Sequence, residues 1–412
     1  MRYAIIGAAL SGNKGAAAML ESSIQHLSEL DPSAHFDVLT VYPRSDAEQN
    51  DNPNVSIFDA SPLRLGVVIN GASLVHRLLP PFREQIEDAI PEVGAIAEAD
   101  VLLDEGGITF VDGRGKFIIY NVATLLPALF LRVPIVKAAQ AMGPFEELVN
   151  RTAAQALLPR MSHIVARGAK TFEYLRGLGL SNVSRGADMA FTLDVNGKAK
   201  ESARRRVDMS FFADGGVIGF CPSVVLQKSA TKNGGDYIGD SIRTINHITD
   251  DLGHPVLLIA HSARTGTEKT HNNDLPLCRE IYAGVSTPDK VLFVDQELGP
   301  QELRYLISKC RVLVAARFHA MVSALSTGVP TVVIGWSHKY GEVLDDFGLN
   351  DFALALSDAT DERVDALIDR ALDEHDSLSE RVTRAYTGVR SSAMEQFGVI
   401  RRVAGRSLAA VR

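Results

Sequence analysis

Short apolar runs alternate with stretches of helical spacing along the chain. The first run, Tyr3–Leu10, precedes a helical pattern over Ala16–Leu30, and the second, Phe36–Val41, precedes the polar stretch Pro43–Pro62, which predicts a loop. Apolar runs that alternate with helical patterns are typical of parallel sheets, in which a helix connects each strand to the next. The pattern therefore predicts an α/β fold.

The same alternation continues to about residue 350. Residues 63–100 show mainly helical spacing. The later runs that predict strands are Val101–Leu103, Ile135–Ala139, Ile164–Ala166, Val217–Cys221, Val256–Ile259, Val291–Val294, Arg311–Ala316 and Thr331–Gly335. Helical patterns lie between them, at Ile119–Phe130, Glu147–Pro159, Lys170–Leu178, Leu275–Tyr282 and Gln301–Ser308.

A break in composition divides the chain. Residues 194–210 are polar and rich in charge, which favours an interdomain linker, and 412 residues exceed one ordinary hydrophobic core. We therefore predict two doubly wound, Rossmann-like domains, at 1–195 and 211–385. The remaining residues, 386–412, contain an amphipathic helix that we expect to pack on the first domain, with binding to a membrane surface as the alternative.

The composition is typical of a soluble globular protein, with 46% hydrophobic and 22% charged residues. The formal net charge of −8 gives no overall attraction to nucleic acid, so an anionic ligand has to be held by a local basic site. The apolar stretch 122–141 is interrupted by Pro127, Arg132, Pro134 and Lys137, and does not fit a membrane span.

The cysteines and the first residues bear on the location of the protein. Cys221, Cys278 and Cys310 are far apart and lack the spacing of metal ligands, so they suit a reducing compartment. The first residues, MRYAIIGAALSG, fit a strand better than a signal peptide. We therefore predict a cytoplasmic protein, peripheral to the inner face of the membrane at most, with no metal and no cofactor.

Basic side chains follow two neighbouring predicted strands. Arg317 and His319 come just after one strand, and His338 and Lys339 come just after the next. Ligands of parallel α/β sheets bind outside the carboxyl ends of the strands. The pattern therefore predicts a site for an anion. The alternative for His319 is a simple cap of the helix that it precedes.

Other polar residues lie at the ends of predicted strands. His261 follows Val256–Ile259, and Arg167 follows Ile164–Ala166. Both therefore share the position of Arg317 relative to a strand. Asp274 directly precedes a helical pattern, which predicts an N-cap.

Two glycine-containing turns are candidate binding loops. Gly12, Asn13 and Gly15 separate the first strand from the first helix, where free backbone N–H groups can bind an anion or a hydroxyl. The alternative is a tight turn that needs glycine. The second turn follows Val101–Leu103 and suits the recognition of hydroxyl groups, because carboxylates accept hydrogen bonds and glycines let a ligand approach the backbone. Its alternative is a helix cap with a surface turn. Its candidate residues are Asp104, Gly106, Gly107 and Asp112.

Several motifs occur together in one order. They are DEGGITFVD at 104–112, QAMGPF at 140–145, Arg-Phe-His at 317–319, Gly-Val-Pro at 328–330 and Lys339. The ordered set resembles the polysaccharide pyruvyl transferase family over about residues 5–350. The resemblance implies two Rossmann-like domains facing a cleft, the GT-B arrangement. It also implies transfer of a pyruvyl group from phosphoenolpyruvate to sugar hydroxyls.

The resemblance assigns roles to individual residues. Arg317 and His319 correspond to the Arg-x-His motif of the family, Lys339 to the lysine that follows it, and Arg167 to a second arginine. We expect His319 to act as general acid and base, Arg317 to bind the donor carboxylate or phosphate, and Lys339 to neutralise charge, with His338 and His261 as further candidates.

The first half of the chain is expected to bind the acceptor. This chain departs from the family there, with Ala16, Ala17 and Ala18 after the first glycine turn and an acidic pair, Asp104 and Glu105, before Gly106. These departures leave the identity of the acceptor open. The acceptor candidates are Gly12, Asn13, Gly15, Asp104, Gly106, Gly107, Asp112 and Gln140.

Two other functions remain as alternatives. A sugar-nucleotide glycosyltransferase of GT-B type would need a carboxylate for the nucleotide ribose, for which Glu297 and Glu342 are the candidates. A non-catalytic anion-binding protein of the same fold is the second alternative. The expected partners are phosphoenolpyruvate and a saccharide or lipid-linked saccharide of exopolysaccharide or cell-envelope synthesis, with no nucleic acid. The oligomeric state is open, and a homo-oligomer is compatible with the sequence.

Overall fold

The computed structural model describes residues 1–264, 272–335 and 338–411, without the side chains of residues 338–339 and 407–411. The chain forms two compact units of the parallel α/β type. The first unit comprises Met1–Ser11, Met19–Met189 and Ser391–Arg412, and the second comprises Gly12–Ala18 and Ala190–Arg390.

The sheet of the first unit has the order β3-β2-β1-β4-β6-β7-β8, and β5 pairs with β6. All the pairings are parallel, which confirms the predicted fold class. Its strands are β1 (Arg2–Ile6), β2 (His35–Thr40), β3 (Val55–Asp59), β4 (Val101–Asp104), β5 (Ile108–Val111), β6 (Ile135–Gly143), β7 (His163–Arg167) and β8 (Val183–Gly186).

The sheet of the second unit has the order β11-β10-β9-β12-β13-β14, again with parallel pairings. The strands β9, β10 and β12 are therefore neighbours, and their carboxyl ends lie side by side. Its strands are β9 (Ile218–Cys221), β10 (Val256–Leu258), β11 (Val291–Phe293), β12 (Val312–Ala315), β13 (Thr331–Gly335) and β14 (Ala353–Ala355).

Helices connect successive strands in both units. Those that precede β9 are α1 (Lys14–Leu30), α2 (Pro43–Gln49), α3 (Asn70–Leu78), α4 (Arg83–Ala89), α5 (Pro91–Ala97), α6 (Gly115–Ala123), α7 (Leu126–Leu131), α8 (Leu148–Leu157), α9 (Ala169–Gly177) and α10 (Gly197–Arg206). The later ones are α11 (Val224–Lys232), α12 (Tyr237–Asn246), α13 (Leu275–Gly284), α14 (Pro300–Ile307), α15 (Phe318–Leu325), α16 (His338–Asp346), α17 (Asp361–Asp373) and α18 (His375–Val411).

The central strands consist mainly of buried apolar residues because helices cover both faces of a parallel sheet. Tyr3, Ala4, Ile5 and Ile6 of β1 are all buried, as are all four residues of β12. Continuous apolar runs of this kind made the central strands predictable.

Two polar stretches are regular structure, contrary to the predictions. The expected loop Pro43–Pro62 contains α2 and β3, and the expected linker 194–210 contains α10. The edge strand β3, VSIFD, is only half-buried and is short, and it lies within a stretch that is polar as a whole. The sequence of α10, GKAKESARRR, is polar but consists largely of strong helix formers, and the Asn196 side chain accepts a hydrogen bond from the backbone N–H of Ala199 at its start.

The bounds of the two units also differ from the predicted ranges. Gly12–Ala18, expected in the first domain, belongs to the second unit, and the second unit begins at Ala190. The last helix begins at His375 rather than near residue 386, and its residues from Ser391 onward belong to the first unit. Among the described residues, no helix is both long and apolar enough to cross a membrane.

The last part of α18 is bonded into the first unit through Gln396. The buried Gln396 side chain accepts a hydrogen bond from the backbone N–H of Ala139 (2.9 Å) and donates one to the carbonyl of Ala187 (2.7 Å). The adjacent Phe397 is buried against the ring of His26, with the ring centroids 5.0 Å apart. These contacts attach α18 to two separate parts of the first unit.

We expect Gln396→Ala to lower the free energy of unfolding by about 1–3 kcal/mol, because it leaves a buried N–H and a buried carbonyl without partners. Urea unfolding measures the change. The matched control is Glu395→Ala, an exposed position on the same helix, for which a change within about 0.5 kcal/mol is expected. Equal effects of the two substitutions would contradict this account of α18.

Candidate functional site

Arg317 lies at the carboxyl edge of the second sheet, as the N-cap residue of α15. Its guanidinium is mostly buried and forms a bidentate ion pair with Asp274, with 2.8 Å from Nε to Oδ2 and a second bond from Nη2 to Oδ1. Nη1 also donates to Asn272 Oδ1 at 3.0 Å. Burial lowers the pKa of Arg317, but the Asp274 carboxylate outweighs burial and raises that pKa above its ordinary value.

Asp274 is a site residue whose role the sequence did not reveal. It was expected to cap α13, but its side chain makes no capping bond there. Its carboxylate instead accepts hydrogen bonds from the backbone N–H groups of Val224 (2.9 Å) and Ser262 (3.0 Å), in addition to those from Arg317. One buried carboxylate thus connects the segments that follow β9, β10 and β12.

His319 is the second residue of α15, and its ring lies directly against Gly15. A Cβ added to Gly15 would be 1.9 Å from the His319 Nδ1, far inside van der Waals contact. Only glycine therefore fits here without moving the imidazole. The ring of Phe318 meets the His319 ring edge to face, with 5.1 Å between centroids.

The glycine turn belongs to this site in the second unit, rather than to the acceptor half in which it was expected. Asn13 forms an antiparallel bridge with Ser262, and its side-chain oxygen accepts a hydrogen bond from the Gly15 N–H at 3.0 Å. The buried Lys14 ammonium pairs with Glu297 at 2.6 Å. Gly12 has a φ of +77°, a backbone conformation that favours glycine. Sequence reasoning found this turn, but not its position.

His261 lies beside the same cluster and is only 3% exposed. Burial, with the nearby His319 and Arg317, lowers the pKa of His261 to about 3, so the ring is neutral near pH 7. Its Nε2 has no hydrogen-bond partner among the described residues. A buried polar atom without a partner is costly, and such atoms are often found where a ligand binds. The side chains of His338 and Lys339 lie outside the described residues, so their roles stay predictions.

A second group of predicted residues lies at the carboxyl edge of the first sheet. A cavity of about 250 Å³ opens there, and its lining includes Gly7, Asp104, Gly106, Gly107, Arg114 and Phe117. Gly7 is required beside it, because a Cβ at that position would lie 2.6 Å from the backbone nitrogen of Gly106. Gln140 is buried under the cavity edge, donating to the Asp104 carbonyl at 2.5 Å and accepting from the Thr109 hydroxyl at 2.6 Å.

Asp112 is not brought together with this group. Its carboxylate accepts hydrogen bonds from the backbone N–H groups of Glu146 (2.6 Å) and Glu147 (3.2 Å) and from the side chain of Asn150 (2.6 Å). These bonds connect the loop after β5 to the start of α8. Asp112 therefore stabilises a loop, which agrees with the alternative of a helix cap with a surface turn.

Buried charges surround the cavity. Asp104 pairs with Lys137, and Arg167 pairs with Asp188 at 2.6 Å. The Arg167 Nη1 lies 3.7 Å from the position that a Cβ on Gly107 would take. All four charged groups are nearly inaccessible to solvent, so each depends on its partner.

Glu105 is a third buried carboxylate of this cluster, and the sequence did not indicate a role for it. It is fully buried and accepts a hydrogen bond from the Ser23 hydroxyl, while its Oε2 has no partner among the described residues. Burial raises the pKa of Glu105 to about 7; the Ser23 bond opposes this shift, and Asp104 and Asp188 add to it. The feature of the sequence that could have indicated Glu105 is the acidic pair Asp104 and Glu105 at the end of β4.

Comparison with known proteins identifies the family. The sequence profile of the family described as polysaccharide pyruvyl transferase matches residues 13–338. The chain belongs to the polysaccharide pyruvyl transferase family. A curated relative, the amylovoran biosynthesis protein AmsJ of Erwinia amylovora, is 23% identical over 410 residues, which cover 93% of this chain and 95% of AmsJ.

Solved structures of other enzymes share the fold of this pyruvyl transferase family member. The UDP-GlcNAc 2-epimerase of Neisseria meningitidis has a TM-score of 0.62 at 12% identity, covering 98% of this chain and 100% of that one. The enzyme of the same name from Methanocaldococcus jannaschii has a TM-score of 0.57 at 12% identity, covering 94% and 99%. At these identities the likeness concerns the fold alone, which is of GT-B type. Membership of the family makes the chain a transferase that acts on polysaccharide.

We expect Gly15→Ala to lower transferase activity by about 10²-fold, because the new Cβ displaces the His319 ring from its position. Alanine is the better helix former, so the first turn of α1 should not be weakened by the change itself. Steady-state rates measure the loss. The control is Gly388→Ala on α18, where an added Cβ meets nothing within 4 Å. Undiminished activity of Gly15→Ala would show that the His319 position does not matter.

We expect Glu105→Gln to stabilise the protein at high pH. Folding raises the pKa of Glu105 from about 4.5 to about 7, so the protonated carboxyl stabilises the native protein. This contribution to the free energy of unfolding is complete below about pH 4.5 and is lost as the pH rises through about 7. The neutral glutamine has no such loss, and above pH 8 its advantage should approach about 3 kcal/mol. Urea unfolding from pH 5 to pH 9 measures the difference. Glu84→Gln, at an exposed position on α4, is the control, and a pH-independent difference for Glu105→Gln would contradict the assignment.

Proposed function

We propose that the chain transfers a pyruvyl group from phosphoenolpyruvate to two hydroxyls of a saccharide, free or lipid-linked, in exopolysaccharide or cell-envelope synthesis at the cytoplasmic side of the membrane. The family and the similarity to AmsJ support a role in building a polysaccharide. The observation that carries the choice of donor is the arrangement of His319 against Gly15, with Arg317 and the neutral His261 beside it.

The proposed donor suits the second unit because it carries a carboxylate and a phosphate. Arginine and lysine are the side chains that recognise these groups, and the predicted Lys339 would supply a compact charge. Arg317 already shares its charge with Asp274. We therefore propose two roles for Arg317. One edge of its guanidinium binds the donor, and its bonds to Asp274 hold the surrounding loops in place. The Nε2 atom of the neutral His261 ring would form a hydrogen bond with the donor.

The reaction needs two proton transfers. A proton added to the methylene carbon of phosphoenolpyruvate makes the adjacent carbon cationic, and one sugar hydroxyl attacks that carbon and releases its proton. Loss of phosphate then makes the same carbon cationic again, and the second hydroxyl attacks it, closing the ketal ring and releasing its proton. Of the two hydroxyl protons, one balances the new methyl group and the other leaves with the phosphate. We assign these transfers to His319, because histidine is the side chain that most often transfers protons in catalysis.

The acceptor is proposed to bind in the cavity of the first unit. Gly106 and Gly107 expose backbone there, and the Asp104 carboxylate can accept hydrogen bonds from sugar hydroxyls while paired with Lys137. Arg114 and Phe117 add a donor and an aromatic surface. Arg167, which pairs with Asp188 beneath Gly107, would position this edge rather than bind the donor.

The glycosyltransferase alternative has less support. It needs a carboxylate for the nucleotide ribose, and one of its two candidates, Glu297, is paired with Lys14 at 2.6 Å. The structural likeness to nucleotide-sugar enzymes concerns the fold only. Calorimetry with phosphoenolpyruvate and with nucleotide sugars separates the two functions.

We expect His319→Gln to lower kcat for pyruvyl transfer by about 10²–10⁴-fold with little change in donor affinity, because it removes the proton carrier and keeps the side-chain volume. Phosphate release in the presence of a glycan acceptor measures turnover. His375→Gln, at the start of α18, is the matched control. Arg317→Ala should abolish activity too, but it also leaves Asp274 buried without its ion-pair partner, so it discriminates less well.

Full turnover by a folded His319→Gln enzyme would overturn the assignment of the proton carrier. Binding of phosphoenolpyruvate without turnover on any glycan would favour the anion-binding protein. Binding of nucleotide sugars in place of phosphoenolpyruvate would favour the glycosyltransferase.

A further inference from the structure

The first unit exposes a helical face without polar side chains. A π-helical turn (Arg64–Ile69) runs into α3, and a short turn at Pro80–Phe82 follows. Between residues 62 and 82 every exposed position is apolar, glycine or proline. Leu63 is 77% exposed, Leu78 66% and Phe82 54%. The exposed members of this apolar face are Leu63, Val67, Val68, Leu74, Val75, Leu78, Leu79 and Phe82.

Such a face is unusual for a surface helix in water. Helices of globular proteins place their charged and polar residues on the exposed side. Here the leucines at 63, 74 and 78 and the valine at 67 recur at helical spacings of four and seven and point outward. A contiguous exposed apolar patch of this kind marks a site of interaction with a protein or a membrane.

The charge of this segment is the opposite of the charge of the chain. The chain has 50 acidic and 42 basic residues, yet residues 60–83 contain Arg64, Arg77 and Arg83 and no acidic residue. Arg64 pairs with the buried Glu92, whereas Arg77 is partly exposed and Arg83 is exposed. Acidic residues resume at Glu84. The segment that forms the apolar face therefore contains basic residues and no acidic ones, and acidic residues return in α4 directly after Arg83.

A second element with the same character packs beside it. The helix α6 contacts the turn Arg64–Ile69, and it exposes Phe117 and, to 80%, Ile119. The Lys116 ammonium lies 5.2 Å from the centroid of the Phe117 ring. Residues 113–120 contain no acidic residue. Phe117 also lines the 250 Å³ cavity of the first unit, so this second patch reaches the mouth of that cavity.

We propose that the apolar face and the exposed part of α6 form a docking surface for an anionic lipid bilayer. An apolar stripe flanked by arginine and lysine fits the boundary between lipid headgroups and acyl chains, with the basic groups among the phosphates. Because Phe117 belongs to this surface and also lines the cavity, docking brings the mouth of the cavity to the surface of the bilayer. Docking depends on the lipid and not on the donor, so its test is independent of the proposed reaction.

A second copy of the chain is a weaker candidate for this surface. A symmetric contact puts the same patch of both copies together, and here it would bring the arginines of both copies to one interface. An anionic bilayer instead offers phosphates to these side chains. The charge of the segment therefore favours lipid.

Vesicle flotation tests the proposal. The full chain is expected to float with vesicles of phosphatidylcholine and phosphatidylglycerol, to bind vesicles of phosphatidylcholine alone more weakly, and to bind the mixed vesicles less at high salt. The double variant Leu63→Ser/Leu78→Ser should bind the mixed vesicles at least about tenfold more weakly, because it removes two apolar side chains from the contact. Both positions are exposed, so folding should be unaffected.

The control is Leu30→Ser, which changes an exposed apolar residue at the end of α1, between Glu29 and Asp31. It should bind vesicles as the unchanged chain does. Absence of vesicle binding by the unchanged chain, or equal binding by Leu63→Ser/Leu78→Ser and the control variant, would overturn the proposal. Sedimentation showing a dimer that Leu63→Ser/Leu78→Ser dissociates, without any vesicle binding, would assign the surface to a second copy instead.

Discussion

The buried ion pair between Arg317 and Asp274 holds the site of the second unit together. The Asp274 carboxylate accepts two hydrogen bonds from Arg317 and one each from the N–H groups of Val224 and Ser262. Burying two charges costs free energy, and this complete set of bonds offsets the cost; loss of one partner typically costs about 3–5 kcal/mol. Because Arg317 is the N-cap residue of α15, the pair also fixes where His319 lies, two residues further on.

The strand-end residues could be predicted from sequence, but the residue that organises them could not. Arg317, His319 and His261 follow strands of one parallel sheet, and the carboxyl ends of such strands meet at one edge. Asp274 lies 50 residues from Val224, 12 from Ser262 and 43 from Arg317, so no local pattern connects it to its partners. Its local sequence indicated only a helix cap, a role that the folded chain does not give it.

Polarity was the other source of error. The edge strand β3 was expected to be part of a loop, and the helix α10 was expected to be an interdomain linker, since apolar periodicity reports burial rather than backbone conformation. The turn at Gly12–Gly15 shows a different limit. Its glycines marked it as a binding corner, but its place in the second unit rests on the Asn13–Ser262 bridge and the Lys14–Glu297 pair, which join residues far apart in sequence. The spacing of residues along the sequence predicts neither contact.

The two units differ in the balance of their buried charges, and this difference bears on which ligand each can bind. At the first edge, Asp104 pairs with Lys137 and Asp188 with Arg167, so a phosphate or carboxylate brought there meets two buried cations that are already paired. The third buried carboxylate, Glu105, adds a further like charge as the pH rises through about 7, the value to which burial raises its pKa. A neutral sugar meets acceptors for its hydroxyls and no repulsion. At the second edge, Asp274 is fully used by Arg317 and two N–H groups, and the polar groups beside this pair include the imidazoles of His261 and His319. These charges support the proposed division into a donor half and an acceptor half without reference to the identity of either substrate.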